Sequence, residues 1–427
     1  MSKKRPPGSD LIPNPFIKKR NLEWTLDSSS TSQATPTSTS VPSSPPTTAN
    51  IESGSATIDD HLTHFKSHLS KHLYSSPPLS ISSYASLYEN NAGNTHGAHF
   101  VIHQHDHPVA GTHYDLRLQI NETSSASWAI MYGLPGDPNS VRLNRNATET
   151  RVHCLWNHLI ETASSSTGSL LIWDTGTYSI LPRKSKHSPS SDPSSPASPP
   201  ASASSSPNPQ ALLHSAFQNR KIRLRLHGSR LPDPYVVNLR LTKSEDVAGR
   251  AKSGRTPRYR RRRQAGNVQP QPETSDEDEG DKDDNEDVPA SADAGANAEH
   301  LSAMEREICE LEDDEVRITN AYPGASNTIG SVHQRRWYLS LDRPACCFVE
   351  KRTKGRSTWK PDKPAEPENV ETSQAANEPD GRLSYPFHVR GADHERSVVT
   401  GRCGIDILKD EGVDDFVQRK GWKPVLN

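Results

Sequence analysis

The sequence predicts a mainly β protein: a small antiparallel β-barrel with flanking helices and long disordered inserts. Three observations carry that expectation. Short apolar-alternating stretches recur between His99 and Leu181, at Lys221–Leu241 and at Arg336–Leu341, broken by Gly, Pro and Asp turn chemistry. Such short strands with frequent turns fit an antiparallel barrel or sandwich. The 427 residues are only 31% hydrophobic and 6% aromatic, with 35 Pro and a mean hydropathy of -0.81, too little apolar surface to bury the whole chain. Finally, the polar residues gather in Ser/Pro and charged runs, which leaves one globular core of ordinary domain size.

Residues 1–55 read as a disordered Ser/Thr/Pro-rich tail with basic clusters Lys3-Lys4-Arg5 and Lys18-Lys19-Arg20. Such clusters serve as nuclear-import signals or simply as solvated charge. The barrel domain is expected over 56–345. It opens with a helix over Ile58–Leu73, where Leu62, Phe65, Leu69 and Leu73 recur at spacings of three and four, Asp59 or Asp60 caps the start, and Pro77-Pro78 ends it. His61, His64, His68 and His72 share that helix without a Cys or carboxylate to complete a metal set.

Strands are expected at Phe100–His105, His113–Ile120, Ser127–Tyr132, Leu170–Trp173 and Thr177–Leu181, the last two separated by Asp174-Thr175-Gly176. A disordered insert follows at about 184–210. Lys221–Gly228 alternates with period two, and Tyr235–Leu241 completes a hairpin. A second insert, at about 243–297, holds Arg258-Tyr259-Arg260-Arg261-Arg262-Arg263 and then the acidic run around Asp276–Asp287; Ser275 beside it has phosphorylation-site character. Leu301, Met304, Ile308 and Leu311 mark an amphipathic helix, and Arg336–Leu341 a further strand. A linker is expected over 346–383, then a C-terminal helical segment over 384–427 that packs on the core through Val399, Cys403 and Ile407, with Phe416-Val417 and Trp422 as anchors.

The net charge of -2 hides strong local segregation of sign. No apolar run is long enough to span a bilayer and the amino terminus lacks an apolar signal core, so no membrane partner is expected. Five cysteines form no CxxC pair, which fits free thiols in a reducing compartment.

The chemistry gathers in one place. In the stretch His113-Tyr114-Asp115-Leu116-Arg117-Leu118 a strand turns His113, Asp115 and Arg117 to one face and Tyr114, Leu116 and Leu118 to the other. His103 and His105 alternate in the same way on the preceding stretch. A catalytic divalent cation takes mixed nitrogen and oxygen ligands with open positions left over. His105, His113 and Asp115 offer that set, with His103 as a substitute or neighbour. Arg117 suits bidentate contact with phosphate oxygens. His153 is a candidate phosphate contact or general acid. The bland alternative is a wet strand face with unrelated polar residues.

The run His99-Phe-Val-Ile-His-Gln-His105, then His113-Tyr-Asp-Leu-Arg-Leu118, then Trp128-Ala-Ile130, resembles the 3'-phosphoesterase domain of bacterial DNA ligase D. Ile172-Trp-Asp-Thr-Gly-Thr-Tyr178, Leu224-Arg-Leu-His-Gly228 and Trp337-Tyr-Leu339 resemble later elements of that family, so the likeness runs from about His99 to Leu341. The inserts and the tail look like those of stand-alone fungal members. The resemblance implies that His105, His113 and Asp115 hold manganese, that Arg117 contacts the scissile phosphate and that His153 lies at the same phosphate. It also marks departures: the family's active-site Tyr falls on Asn157, with His158 nearby to compensate, and a Gly-rich segment is reduced to Ser164–Gly168.

The implied function is a Mn2+-dependent 3'-phosphoesterase. It would remove 3'-phosphate or 3'-ribonucleotide blocks from DNA ends in strand-break repair. The implied partners are DNA 3' ends, RNA-containing ones among them, and DNA repair proteins, and the implied setting is the nucleus. The rival from another class is a non-catalytic nucleic-acid-binding scaffold on the same fold. A third reading is a metal-dependent phosphatase of RNA or small phosphoesters.

Overall fold

Eight antiparallel strands close into a barrel in the computed structural model, which describes residues 46–74, 77–182, 208–253, 318–353, 356–362, 381–419, 423 and 425. Three helices come first: α1 (Thr48–Glu52), α2 (His61–Ser70) and α3 (Ile81–Asn91). The wall then begins with β1 (His99–His107), β2 (Gly111–Gln119), β3 (Ser124–Met131) and β4 (Asn144–Glu149). Two short strands, β5 (His153–Cys154) and β6 (Thr162–Ser164), hang on β3 and on the long β7 (Gly168–Ile180). After α4 (Pro209–Gln218) the wall continues through β8 (Lys221–Gly228) and β9 (Tyr235–Arg240). Then come α5 (Lys243–Ser253) and β10 (Arg336–Leu341). The strand order β1-β2-β3-β4-β10-β9-β8-β7 closes where β7 pairs back onto β1. A hairpin of β11 (Phe348–Thr353) and β12 (Arg356–Pro361) and a last helix, α6 (Gly404–Asp410), follow.

Period-two alternation builds the wall. Phe100 and Ile102 lie across from Leu118 and Leu116, which lie across from Ala126 and Trp128. All six turn inward to one core with Tyr114, Ile130, Trp173, Leu224, Leu239 and Trp337. Residues of opposite parity turn outward, yet β2 is buried along its whole length. A second layer covers that outer face: Ile51, Phe65, Leu69 and Tyr84 from the first three helices meet Val101, Leu170 and Ile172 of the wall, together with Leu159, Ile160, Val398 and Val399. Glu161 locks the layer. Its carboxylate accepts from Ile172 N at 3.3 Å, Thr400 Oγ1 at 2.7 Å and Arg402 Nη2 at 2.9 Å, with neither Glu161 nor Arg402 exposed.

Several elements differ from the sequence expectation. The helix read at Ile58–Leu73 is α2, and Asp60 caps it by accepting from Thr63 N at 3.0 Å. α1 falls inside the stretch read as tail, and α5 begins inside the second insert. The hairpin β11–β12 occupies part of the presumed linker. Leu170–Trp173 and Thr177–Leu181 are one strand, β7, bulged opposite Ile102/His103. Asp174 does not end a strand there. It is buried and accepts from Ser229 N, Arg230 N and Leu231 N at 2.8–3.0 Å, pinning the loop after β8.

β4 was missed because Asn-Arg-Asn-Ala-Thr-Glu carries no apolar alternation. The amphipathic pattern at Leu301–Leu311, the basic and acidic blocks, Ser275, Cys309 and the amino-terminal basic clusters lie outside the described residues. Cys154, Cys346, Cys347 and Cys403 are free; of these Cys347 is exposed and the other three are buried. Among the described residues no helix is long and apolar enough to cross a membrane.

Candidate metal centre

On the outer face, the barrel register sets three rows side by side. His105 lies opposite His113, His103 opposite Asp115, and Val101 opposite Arg117, whose other neighbour is Ser127 of β3. His105 Nδ1 stands 3.8 Å from Asp115 Oδ2, and His113 Nε2 stands 3.5 Å from Asp115 Oδ1. One ligand atom from each of His105, His113 and Asp115 lies within 4.8 Å of the others. Ligands about 2.1 Å from a common cation stand at most about 4.2 Å apart, so both His–Asp separations meet the requirement.

The remaining ring nitrogens are tied back. His105 Nε2 donates to the carbonyl of Thr167 at 2.8 Å, and His113 Nδ1 to that of Gly111 at 2.9 Å. A carbonyl only accepts, so in each neutral ring the nitrogen facing Asp115 carries the lone pair. Two lone pairs then face a carboxylate, an arrangement that calls for a cation between them. The donor set therefore fits a divalent metal. His107 closes the hairpin between the two rows: its Nδ1 accepts from Val109 N and Ala110 N, both at 3.1 Å.

Electrostatics agree with the geometry. Burial alone would raise the Asp115 carboxyl. The neighbouring His113, His105 and Arg117 outweigh it and hold the group well below the usual carboxylate range. Burial pushes His113 down. For His105 burial acts the same way, but Asp115 and then Glu52 more than offset it, so its net shift is upward.

Beside the candidate metal set lies a group of buried polar side chains. Arg117 is 4% exposed, and its Nη2 reaches Asp115 Oδ2 at 3.4 Å while its Nε has no hydrogen-bond partner. Ser125 Oγ, Ser127 Oγ, His153 Nδ1, Asn157 Oδ1, His158 Nε2 and both nitrogens of His103 are likewise buried without a partner of normal geometry. Buried polar groups are ordinarily satisfied, so such a concentration on one patch of wall points to a polar ligand. His153 pairs with Ser125 across β5 and β3. Its imidazole is kept neutral, pushed well down by burial and then by Arg117. Asn157 and His158 sit on the 3-10 turn Leu155–Leu159, and His158 Nδ1 is 2.7 Å from His99 Nδ1, which engages one of its nitrogens.

Four neighbours escaped the sequence reading. Glu52, at the end of α1, interacts electrostatically with His105, Arg117 and Asp115, and burial raises its carboxyl. Gln418 Nε2 donates to Asp106 Oδ2 at 3.0 Å beneath the same hairpin. Arg151 and Tyr322 flank His153. Glu52, Gln418 and Tyr322 sit in no strand-period pattern with the histidines, whereas Arg151 stands two residues before His153, the one spacing that could have found it. The histidines of α2 and the turn after it serve elsewhere: His68 Nε2 meets Glu411 at 3.0 Å and His72 Nδ1 meets Asp410 at 3.2 Å. The charged run Asp393–Arg396 also braces the fold, since Glu395 accepts from Trp173 Nε1 at 2.7 Å and pairs with Arg230 at 3.3 Å.

Comparison with known proteins meets this site. No curated protein matches the chain. Residues 103–238 match the family model described as the DNA Ligase D 3'-phosphoesterase domain. That segment is roughly a third of the chain and runs from His103 in β1 to Asn238 in β9; β10, which the motif reading included, lies beyond it and completes the same barrel. The barrel of this chain, over residues 103–238, is thus similar to the DNA Ligase D 3'-phosphoesterase domain family, which supports a hydrolase at the level of that family.

Proposed function

We propose that the chain is a divalent-metal-dependent 3'-phosphoesterase that clears 3'-phosphate or 3'-ribonucleotide blocks from DNA ends during strand-break repair, with Mn2+ as the working ion. The observation that carries this reading is the pairing of His105 Nδ1 and His113 Nε2 against Asp115 with Arg117 alongside. Nucleic-acid binding alone has no need of three converging metal ligands.

His105, His113 and Asp115 would hold the ion, which when bound supplies Lewis-acid polarisation of a phosphate oxygen and a water of lowered pKa. Arg117 would grip the phosphate oxygens from the same face of β2. That grip strengthens as negative charge develops on the phosphoryl group. His153, held neutral, would bridge to a phosphate or leaving oxygen by hydrogen bond, and Ser125 and Ser127 offer hydroxyls beneath. At a 3'-phosphate, water adds to phosphorus as the bond to the ester oxygen breaks, a proton passes to that oxygen, and the products are inorganic phosphate and a free 3'-hydroxyl; at a ribonucleotide diester the same addition expels one of the two sugar hydroxyls and leaves a phosphomonoester on the other.

Asn157 at the family's Tyr position favours the second reading, a nucleic-acid-binding scaffold. A primer ending in a 3'-phosphate, with and without Mn2+, separates the two. Metal-dependent phosphate release is expected from the wild type and absent from His113→Ala and Arg117→Ala. Equal release by the variants, or none by the wild type with any divalent ion, would overturn the enzyme reading. Nuclear action beside repair proteins is part of the same proposal and is supported by the basic clusters near the amino terminus.

A further inference from the structure

A metal set and an arginine recognise a phosphate; they do not recognise what the phosphate is attached to. Tyr322 stands where that second recognition is needed. Its ring lies 4.7 Å from the His153 ring, centroid to centroid, at 47°. The Arg151 guanidinium lies 5.9 Å from the Tyr322 centroid. Of the exposed tyrosines among the described residues, Tyr74, Tyr132, Tyr322 and Tyr338, only Tyr322 makes a ring contact with His153.

The backbone holds this tyrosine firmly. Ala321 forms a parallel bridge to Val152, the residue just before β5: Val152 N donates to Asn320 O at 2.9 Å and Tyr322 N to Val152 O at 3.0 Å. Cys154 Sγ donates to Pro323 O at 3.4 Å, and Ser326 N to Ser124 Oγ at 2.8 Å. Tyr322 is thus stitched to the short strand that carries His153, while 39% of its surface stays exposed. An aromatic ring pre-ordered beside a phosphate site, with a cation next to it, is the arrangement that grips a nucleic-acid strand: bases stack on rings whatever their sequence, and the cation attracts the backbone.

We propose that Tyr322 is the nucleoside-recognition residue of this site, stacking on the sugar–base unit that bears the 3'-phosphate, so that the chain discriminates nucleic-acid 3' ends from other phosphomonoesters. The proposal rests on the phosphoesterase reading above. Arg151 adds positive charge on the same side, as its electrostatic effect on His153 records.

The test compares kcat/KM on a 3'-phosphorylated oligonucleotide and on p-nitrophenyl phosphate for wild type, Tyr322→Ala and Tyr322→Trp. The expected result is a 5- to 150-fold fall (about the worth of one stacked base) in Tyr322→Ala on the oligonucleotide, carried by KM, with a much smaller change on the small ester. Tyr322→Trp should retain most of the preference. Equal losses on both substrates would make Tyr322 a support for His153 and overturn the proposal, as would no loss on either. If the wild type hydrolyses neither substrate, the phosphoesterase reading fails instead. Fluorescence anisotropy with the same oligonucleotide then decides for Tyr322: weaker binding by Tyr322→Ala supports the stacking role, and unchanged binding overturns it.

Discussion

The carbonyl of Thr167 holds His105 Nε2 at 2.8 Å, and that contact decides which nitrogen His105 turns toward Asp115. Thr167 belongs to the short turn between β6 and β7, the segment where the family's Gly-rich stretch is reduced to Ser164–Gly168. Ser164 Oγ accepts from Thr167 N at 3.0 Å and so shapes the turn. The reduced segment thus still bears on the candidate metal centre, fixing the orientation of His105 from behind.

Gly168 gives a direct test of that task. Its φ is +76°, and a Cβ there would meet Asp106 O at 1.9 Å and Phe416 Cε2 at 2.8 Å. Gly168→Ala should displace the turn and withdraw the Thr167 carbonyl from His105. Mn2+ affinity, read by calorimetric titration, is expected to fall about 10- to 100-fold, the usual effect of losing a partner behind a ligand. Unchanged affinity in a folded variant would show that Asp115 alone orients His105.

Glu149 ties the strand β4 to the segment that carries Tyr322. It is fully buried and accepts from Arg335 Nε at 2.8 Å, Arg335 Nη2 at 3.0 Å, Trp337 Nε1 at 2.9 Å and Val332 N at 3.0 Å. Glu149→Ala would leave the Arg335 guanidinium, 2% exposed, with Asp246 at 2.7 Å as its remaining carboxylate. A loss of about 3–5 kcal/mol in urea unfolding is expected, the cost of stranding a buried charge. A loss below about 1 kcal/mol would mean that Asp246 suffices.

Buried histidines make the fold acid-sensitive. Burial pushes His99 down to about 3, and burial followed by Arg151 does the same to His333. Both pKa values lie below the unfolded value near 6.5. Between pH 6.5 and about 3 the unfolded chain therefore binds protons that the folded chain does not, so stability is full above pH 6.5 and is lost as pH falls. At pH 5.5 each such group costs about 1.4 kcal/mol. Urea midpoints of the chelator-treated protein should drop between pH 7.5 and pH 5.5, and a flat profile would contradict neutral burial of these rings.

The site was legible wherever its residues share a strand. His113, Asp115 and Arg117 appear at period two beside the apolar Tyr114, Leu116 and Leu118, and the barrel keeps that division of faces. The helix through Phe65 and Leu69 and its Asp60 cap were equally readable, because capping and amphipathic spacing are local signals. β4 was not, since an edge of polar residues becomes a strand only by pairing with β3 and β10. The unity of β7 was hidden for a related reason. Gly176 read as a turn residue, but a Cβ there would meet His227 O at 2.0 Å, so glycine serves the close approach of β8.

What the chain order determines by itself is which side chains face together along one strand, because the backbone alternates regardless of its surroundings. His105 against His113, and Asp115 beside both, follow once two adjacent strands pair across a short turn. What only the tertiary structure decided is who meets that face from afar: Thr167 behind His105, Glu52 from α1, and Tyr322 brought to His153 from well over a hundred residues away. Those contacts depend on barrel closure and on the layer of helices laid over the outer wall, and no local period in the sequence encodes them.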